Sequence, residues 1–385
     1  MSENVFTPYG FSGPARTLLG RGSRAEAARL IAEIGSRVLV VRGRAVCWAE
    51  TLARELREAG VSVEVLYSTG EPTLEGLRAA LEEARAAGPD CVVAIGGGAV
   101  VDFGKALAGL IPGEGDPADY LEIGAGDPRP FPDPLPFVAV PTTSGTGAEA
   151  TKNAVIGVPE QQMKISLRDP RLMPTLALVD PALTDGSPKA VTLACGLDAL
   201  TQLIESYLTR KANPVTDALC RGTIPDTVAA LAQVMTAENA GARDAMARAS
   251  HLSGLALANS GLGVVHGLAA VLGTEGGAHG AICGRLLPAA LEVNAEAAQA
   301  AGQPTERFAE VREWLATGLG GAPDGALTTL RAFIDRHGLP SLSELGCPVE
   351  AEQAVAERAL GASSTKGNPV TLDVERIGEI LSRSR

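Results

Sequence analysis

Cys91-Val-Val-Ala-Ile-Gly-Gly-Gly-Ala-Val-Val-Asp102 reads as a buried strand, a glycine turn and the opening of a helix. Cys91 to Ile95 form an unbroken apolar run between Gly88-Pro-Asp90 and three glycines, the pattern of a strand covered on both faces. Val100 to Leu110 continues as the helix. At such a junction the main chain can approach a pyrophosphate closely and present helix N–H groups to it. The cluster Gly96-Gly97-Gly98 is not G-x-G-x-x-G, and the same glycines would also serve a plain tight turn. Asp102, in the helix's first turn, is placed either to cap the helix or to reach a nucleotide.

Working outward, a Pro-rich stretch from Pro112 to Pro136 leads to Phe137-Val-Ala-Val140, another strand. It feeds Pro141-Thr-Thr-Ser-Gly-Thr-Gly-Ala-Glu-Ala-Thr151, a loop rich in hydroxyls in which Gly145 and Gly147 let the backbone fold round a ligand. Alone this is a turn. Beside the glycine triplet, at one edge of a parallel sheet, it becomes the second wall of a nucleotide site. Arg37 to Val41, Val61 to Leu66 and Leu176 to Val179 add strands, while Ala49 to Ala59 and Thr73 to Ala87 add helices, so the first half alternates as a doubly covered, mostly parallel sheet does. From Pro188 the Val/Ile runs disappear and helical spacing takes over, as in Gly196 to Tyr207, Ala242 to Ala258 and Thr305 to Ala316. The expected architecture is an α/β dinucleotide-binding domain over residues 1–184 and an all-helical domain over 185–385.

The chain has 385 residues, a formal net charge of −12 and only 3% aromatic residues. That length favours two domains with aliphatic, Ala-rich cores. The acidic balance excludes sequence-independent nucleic-acid binding, which needs a basic footprint, and points to small-molecule partners. Six scattered cysteines without a C-x-x-C pair support neither a zinc ribbon nor a secreted disulfide framework. No signal-like N-terminus or long charge-free apolar run is present, so a cytoplasmic protein without membrane attachment is expected.

Asp198 and Gln202 are four apart in a helical segment and share a face. His266 and His279 are two of only four histidines, and both stand among glycines. An aspartate with two imidazoles suits zinc or ferrous iron with open positions for a substrate oxygen, while Gln202 could add only a neutral amide oxygen. A polar cleft without metal is the alternative. His251 and His337 are read as structural.

These motifs together, Gly96 to Asp102 with Lys105, Pro141 to Thr151, Gly196-Leu-Asp-Ala-Leu-Thr-Gln-Leu-Ile-Glu205, and Gly263-Val-Val-His-Gly267 followed by His279-Gly280, resemble the iron-containing (group III) alcohol dehydrogenases over essentially the whole chain. The resemblance implies the fold shared with dehydroquinate synthase, a cleft holding nicotinamide and metal, and NAD(P)-dependent hydride transfer between an alcohol and an aldehyde or ketone. It implies that Gly96, Gly97, Gly98 and Asp102 contact the cofactor, that Thr142, Thr143 and Thr146 line its ribose and nicotinamide side, and that Lys164 lies near the ribose. It implies metal ligation by Asp198, His266 and His279, with Gln202 where the family usually has its other ligand histidine. His266 and His279 are then the catalytic candidates. A homodimer or larger assembly is expected from the family.

Three departures stand out. Gln202 weakens or abolishes metal binding. Ala270 replaces a histidine that relays protons in many members. The gap from His266 to His279 is shortened by about one residue. Maleylacetate reductases, similar in fold, work without metal, so a metal-independent carbonyl reductase is one alternative; a cyclase resembling dehydroquinate synthase and a non-catalytic cofactor binder are others. Gly43, flanked by Arg42 and Arg44, stands where NAD-preferring members carry an aspartate for the ribose 2′-hydroxyl, which favours NADP(H) over NAD(H) because arginines pair with a 2′-phosphate.

Overall fold

The computed structural model describes residues 8–121, 128–161, 163–275 and 277–385, so part of the Pro-rich stretch between Pro112 and Pro136 lies outside the described residues. The first half runs β1 (Arg16–Leu19), α1 (Ala27–Ala32), β2 (Arg37–Arg42), α2 (Trp48–Glu58), β3 (Ser62–Tyr67), α3 (Leu74–Ala87), β4 (Cys91–Gly96), α4 (Gly98–Leu110), β5 (Phe137–Pro141), β6 (Asn153–Val158), β7 (Met163–Arg168) and β8 (Leu176–Val179). Six of these strands form one sheet in the order β1-β8-β5-β4-β2-β3, every neighbouring pair parallel, while β6 and β7 make a separate antiparallel hairpin.

The strand order places the ligand edge. The chain leaves β2 toward β3, then returns past β2 to β4, so the connections diverge between β2 and β4 and open a crevice at their C-terminal ends. Register makes this concrete: Arg42 pairs with Ile95 and Gly96 with Pro141. Gly43, the glycine triplet and the Thr/Ser/Gly loop therefore leave the sheet side by side.

Among the described residues every regular element after the short 3₁₀ turn Pro181–Thr184 is helical: α5 (Lys189–Leu208), α6 (Pro214–Thr236), α7 (Ala240–Ser260), α8 (Val264–Leu272), α9 (His279–Ala300), α10 (Glu306–Leu319), α11 (Ala326–Arg336), α12 (Glu352–Leu360) and α13 (Val374–Arg383). α5 lies at the centre, and its buried residues run almost without a break from Gly196 to Leu208. A helix buried all round is apolar all round unless its polar residues have work to do, and α5 buries Asp198, Gln202 and Glu205. One aliphatic core fills the helical half, and the two sheet faces have their own. Among the described residues no single helix is long and apolar enough to cross a membrane; α7 and α8 qualify only jointly and meet at 103°.

Two regions depart from the sequence reading by addition. β1 and α1 precede the first expected strand, and the β6–β7 hairpin occupies a stretch to which no element was assigned. The hairpin reaches across to the helical half, where β7 packs against α8.

Candidate functional site

The glycine triplet is shaped by what surrounds it. α4 begins at Gly98 with no side-chain cap, leaving first-turn N–H groups for a ligand. A Cβ at Gly96 would lie 2.6 Å from Val100, and one at Gly98 would lie 2.6 Å from Thr146. These glycines are thus needed for close approach, Gly98 to the hydroxyl loop itself. Thr143 sits 3.4 Å from where a Gly97 Cβ would be. Thr142 donates its N–H to the Gly96 carbonyl at 2.9 Å, which joins the two loops directly.

Lys105 holds the hydroxyl loop from below. Its ammonium is fully buried and donates to the carbonyls of Ala148 (2.7 Å), Thr151 (2.8 Å) and Asn153 (3.0 Å) and to Thr151 Oγ1 (3.0 Å). Such a cradle satisfies a buried cation without a carboxylate partner. Glu149, in the same loop, meets His251 of α7 at 3.3 Å, both buried, so His251 ties the loop to the helical half. The space between Thr143, Ser144 and the helices carrying Cys195 and Arg243 forms a small recess, and Ser144 Oγ there is buried without a partner among the described residues. Lys164, on β7, pairs with Glu71 at 3.5 Å and reaches toward Gly273 after α8.

Asp102 accepts the Val155 N–H at 3.1 Å, and burial pushes its carboxyl up to about 6, with Lys105 pulling the other way. A carboxyl whose folded pKa lies above its unfolded one costs the folded state nothing below pH 4; its cost grows through pH 4 to 6 and is constant above that. Asp102→Asn, which keeps the acceptor for Val155, is therefore expected to stabilise the cofactor-free protein at pH 8 by about 1 to 2 kcal/mol, less than the full shift because the carboxyl partly opens to the cleft. Urea melts at pH 8 and pH 4 check this: a gain of equal size at both would show that ionisation is not the cause.

Beyond Arg42 the loop is held by that arginine's own side chain. Arg42 is 2% exposed and its guanidinium donates to the carbonyls of Gly43, Arg44 and Val46. It is thus committed to the backbone, and Arg44 is the arginine left for a ligand. The Arg44 guanidinium lies 4.8 Å from the ring centroid of Tyr67, a half-exposed residue at the end of β3.

The second centre lies in the helical half. Asp198 and Gln202 project from one face of α5, His266 from the first turn of α8, and His279 from the first residue of α9. His266 Nε2 lies 3.5 Å and His279 Nε2 3.8 Å from Asp198 Oδ1. Cys283, one turn after His279 on α9, completes the group: its Sγ is 3.8 Å from His266 Nε2 and 3.7 Å from His279 Nε2. One donor atom from each of Asp198, His266, His279 and Cys283 falls within 4.8 Å of the others. Asp198 Oδ1 is buried and has no hydrogen-bond partner, which is costly unless a cation or another ligand meets it. Carboxylate, imidazole and thiol form a donor set suited to a divalent cation, so these residues fit one.

Charge within the group is mutually supported. Burial favours a neutral Asp198, but the nearby imidazoles of His266 and His279 hold its carboxyl below the usual carboxylate range. Burial likewise favours neutral imidazoles, yet the Cys283, Asp198 and Glu205 contacts outweigh it and raise His266 well above its ordinary value; His279 is raised too.

Gln202 does not turn its oxygen to this centre. Its Oε1 accepts from Ser253 Oγ at 2.7 Å and its Nε2 donates to Asp198 Oδ2 at 3.3 Å. That amide orientation is the one that avoids two acceptors facing each other. Ala270, one turn past His266, is exposed and offers no donor.

Glu205 is a residue the sequence reading quoted without a role. It stands two turns after Asp198 and accepts the Val265 N–H (2.7 Å), the His266 N–H (3.3 Å) and His266 Nδ1–H (2.7 Å). With Asn368 Oδ1 taking the Val264 N–H at 3.1 Å, it closes the start of α8. This accounts for Asn368: the run Ser363 to Asn368 supports α8. Glu205 also fixes the tautomer that leaves Nε2 free to bind. Glu205→Gln is expected to lower cation affinity and kcat about 10- to 100-fold, with NAD(P)H affinity preserved; equal losses in both would mean a general structural role.

Comparison with known proteins was made against this geometry. Residues 14–181 match the model of the family described as iron-containing alcohol dehydrogenase, and residues 192–385 match that of the Fe-containing alcohol dehydrogenase family, C-terminal. The chain is 30% identical to the NAD-dependent methanol dehydrogenase of Bacillus methanolicus, covering 96% of this chain and 98% of that one. It is 34% identical to the lactaldehyde reductase of Escherichia coli strain K12 over 80% of each. A crystal structure of 1,3-propanediol oxidoreductase superposes with a TM-score of 0.88 at 29% identity, covering 98% of this chain and all (100%) of that one.

Proposed function

Because the chain belongs to the iron-containing alcohol dehydrogenase family, we propose that the seam between its sheet and its helices, dividing the chain near residue 185, is the site where hydride passes between nicotinamide and a small alcohol, aldehyde or ketone. The chain is an NAD(P)-dependent alcohol dehydrogenase or aldehyde reductase. The observation that carries the catalytic assignment is Asp198 Oδ1, buried and unpartnered, facing two imidazoles at 3.5 and 3.8 Å. When bound, nicotinamide would supply or accept the hydride, and a divalent cation, iron or zinc, which Asp198, His266 and His279 would hold, would polarise the carbonyl oxygen.

The chain's own residues prepare that chemistry. Gly96, Gly97 and Gly98 admit the pyrophosphate, and Thr142, Thr143 and Thr146 line the ribose and nicotinamide side, with Lys164 and Asp102 at its margins. Glu205 orients His266, and Gln202 holds the far oxygen of Asp198. NADP(H) is the favoured cofactor form, supported by the absence of a carboxylate at Gly43 and by Arg44 over Tyr67. Arg44→Ala should raise KM for NADPH about tenfold, the worth of one charge-assisted hydrogen bond, and leave KM for NADH unchanged; equal effects on both would remove the 2′-phosphate role.

A cytoplasmic setting is supported by six free cysteines. A homodimer is supported by the edge position of β1 in the sheet. The reading as a whole is tested by metal analysis of the purified protein together with NADPH and NADH oxidation over an aldehyde and ketone panel. Metal near one per chain with turnover is expected. Full turnover in rigorously metal-free protein would instead favour the metal-independent, maleylacetate reductase-like scheme.

A further inference from the structure

The donor missing at position 202 is replaced from another helix. We infer that Cys283 is a metal ligand of this chain and that its centre, Asp198, His266, His279 and Cys283, is a thiolate-containing site that prefers zinc to iron; this rests on the metal-dependent reading above.

Three observations carry it. The first is spacing. Around a tetrahedral cation, donors at roughly 2.0 to 2.3 Å are separated from one another by about 3.3 to 3.8 Å. Of the six donor pairs, Asp198–His266, Asp198–His279, His266–Cys283 and His279–Cys283 measure 3.5, 3.8, 3.8 and 3.7 Å, and the other two lie within 4.8 Å. The second is direction. Asp198 Oδ1, in a side chain 3% exposed, faces both imidazoles and has no hydrogen-bond partner among the described residues. The third is Gln202, whose oxygen is engaged by Ser253 and whose amide N–H₂ faces Asp198 Oδ2. It braces a ligand rather than serving as one.

His279 and Cys283 are one turn apart on α9 just as Asp198 and Gln202 are on α5, so the donor has moved between helices while the count of protein donors stays at four. The chemical consequence follows from ligand type. Thiolates favour zinc over ferrous iron, and zinc stands above it in divalent affinity as well. One carboxylate and one thiolate also neutralise the cation's double charge within a buried site. Relative to a carboxylate with three neutral imidazoles, the cation is left a weaker Lewis acid.

The test uses the full-length wild-type chain, stripped of metal and loaded anaerobically with stoichiometric Co(II) as the probe. A near-ultraviolet thiolate-to-cobalt charge-transfer band is expected. In Cys283→Ala the band should vanish while Co(II) still binds, with Zn(II) affinity more than about a hundredfold weaker, beyond the loss an outer hydrogen-bond partner causes. X-ray absorption at the zinc edge of the wild-type protein gives the same answer without relying on the variant's folding: one sulfur among the nearest neighbours is expected. Bound Co(II) lacking the band, or zinc with only nitrogen and oxygen neighbours, overturns Cys283 ligation and leaves the metal-dependent enzyme standing. Failure of both Co(II) and Zn(II) to bind overturns the metal-dependent reading as well.

Discussion

His266→Ala is expected to lower kcat/KM for carbonyl reduction by at least about a thousandfold, on the order of 4 kcal/mol of transition-state stabilisation. The imidazole is held at both nitrogens. Nδ1 donates to Glu205 at 2.7 Å, while Nε2 lies 3.5 Å from Asp198 and 3.8 Å from Cys283 Sγ. Alanine removes one donor, leaves Glu205 without its imidazole partner, and strips Asp198 of the closer of two imidazoles. If the reaction ran without metal, His266 would be needed as hydrogen-bond or proton donor, so turnover falls under either scheme. The cofactor loops belong to the other half of the chain, and NADPH affinity should change by less than about threefold. Steady-state kinetics, NADPH fluorescence titration and metal analysis of one preparation separate these effects. Undiminished turnover with the physiological substrate would remove His266 from the chemistry.

The second large effect is expected where two main chains meet. A Cβ at Gly254 on α7 would sit 2.2 Å from the Gly147 carbonyl oxygen and 2.9 Å from its Cα, and one at Gly147 would sit 2.5 Å from the Ser250 carbonyl oxygen. Main chain presses on main chain here, so no side chain can rotate away. Gly147 also has φ +59°, a left-handed conformation that suits glycine. Gly254→Ala must push α7 off the hydroxyl loop, at a cost of about 2 to 3 kcal/mol in stability and more than about tenfold in NAD(P)H affinity, since the loop that lines the cofactor moves with it. Gly222→Ala in α6 is the control. Nothing lies within 4 Å of its Cβ, and alanine there should stabilise by about 0.5 to 1 kcal/mol. Equal behaviour of the two variants would sink the argument.

The sheet was legible where burial was continuous. Val38 to Val41, Cys91 to Ile95 and Phe137 to Val140 are unbroken apolar runs, the latter two ending at glycine and proline, and each lies in a strand. β1 was not, because Arg16-Thr-Leu-Leu19 is short and half exposed at the sheet edge. The β6–β7 hairpin alternates buried and partly buried residues beside a loop already given to ligand binding, and its helical-domain partner is distant in sequence. The two histidines of the proposed metal cluster stand out by rarity, two of four in the chain, and could be named from the chain alone. Cys283 could not, because it was one of six scattered cysteines; what distinguishes it is a contact with His266, 17 residues away across a turn. Arg42 shows the reverse case. As a sequence symbol it is a phosphate ligand as good as Arg44, and only its burial beneath three carbonyls separates them.

All of the cation's candidate donors come from residues 198 to 283, within the helical half, whereas the glycines, the threonine loop and Arg44 proposed for the cofactor belong to the sheet half. The enzyme is therefore modular in inheritance as well as in shape. A crossover between Asp185 and Lys189 that recombined this chain with a relative would transmit cofactor preference from one parent and metal preference from the other. Natural selection can tune the two largely independently, with contacts such as Gly147 on Gly254 and Glu149 on His251 obliging the halves to change together.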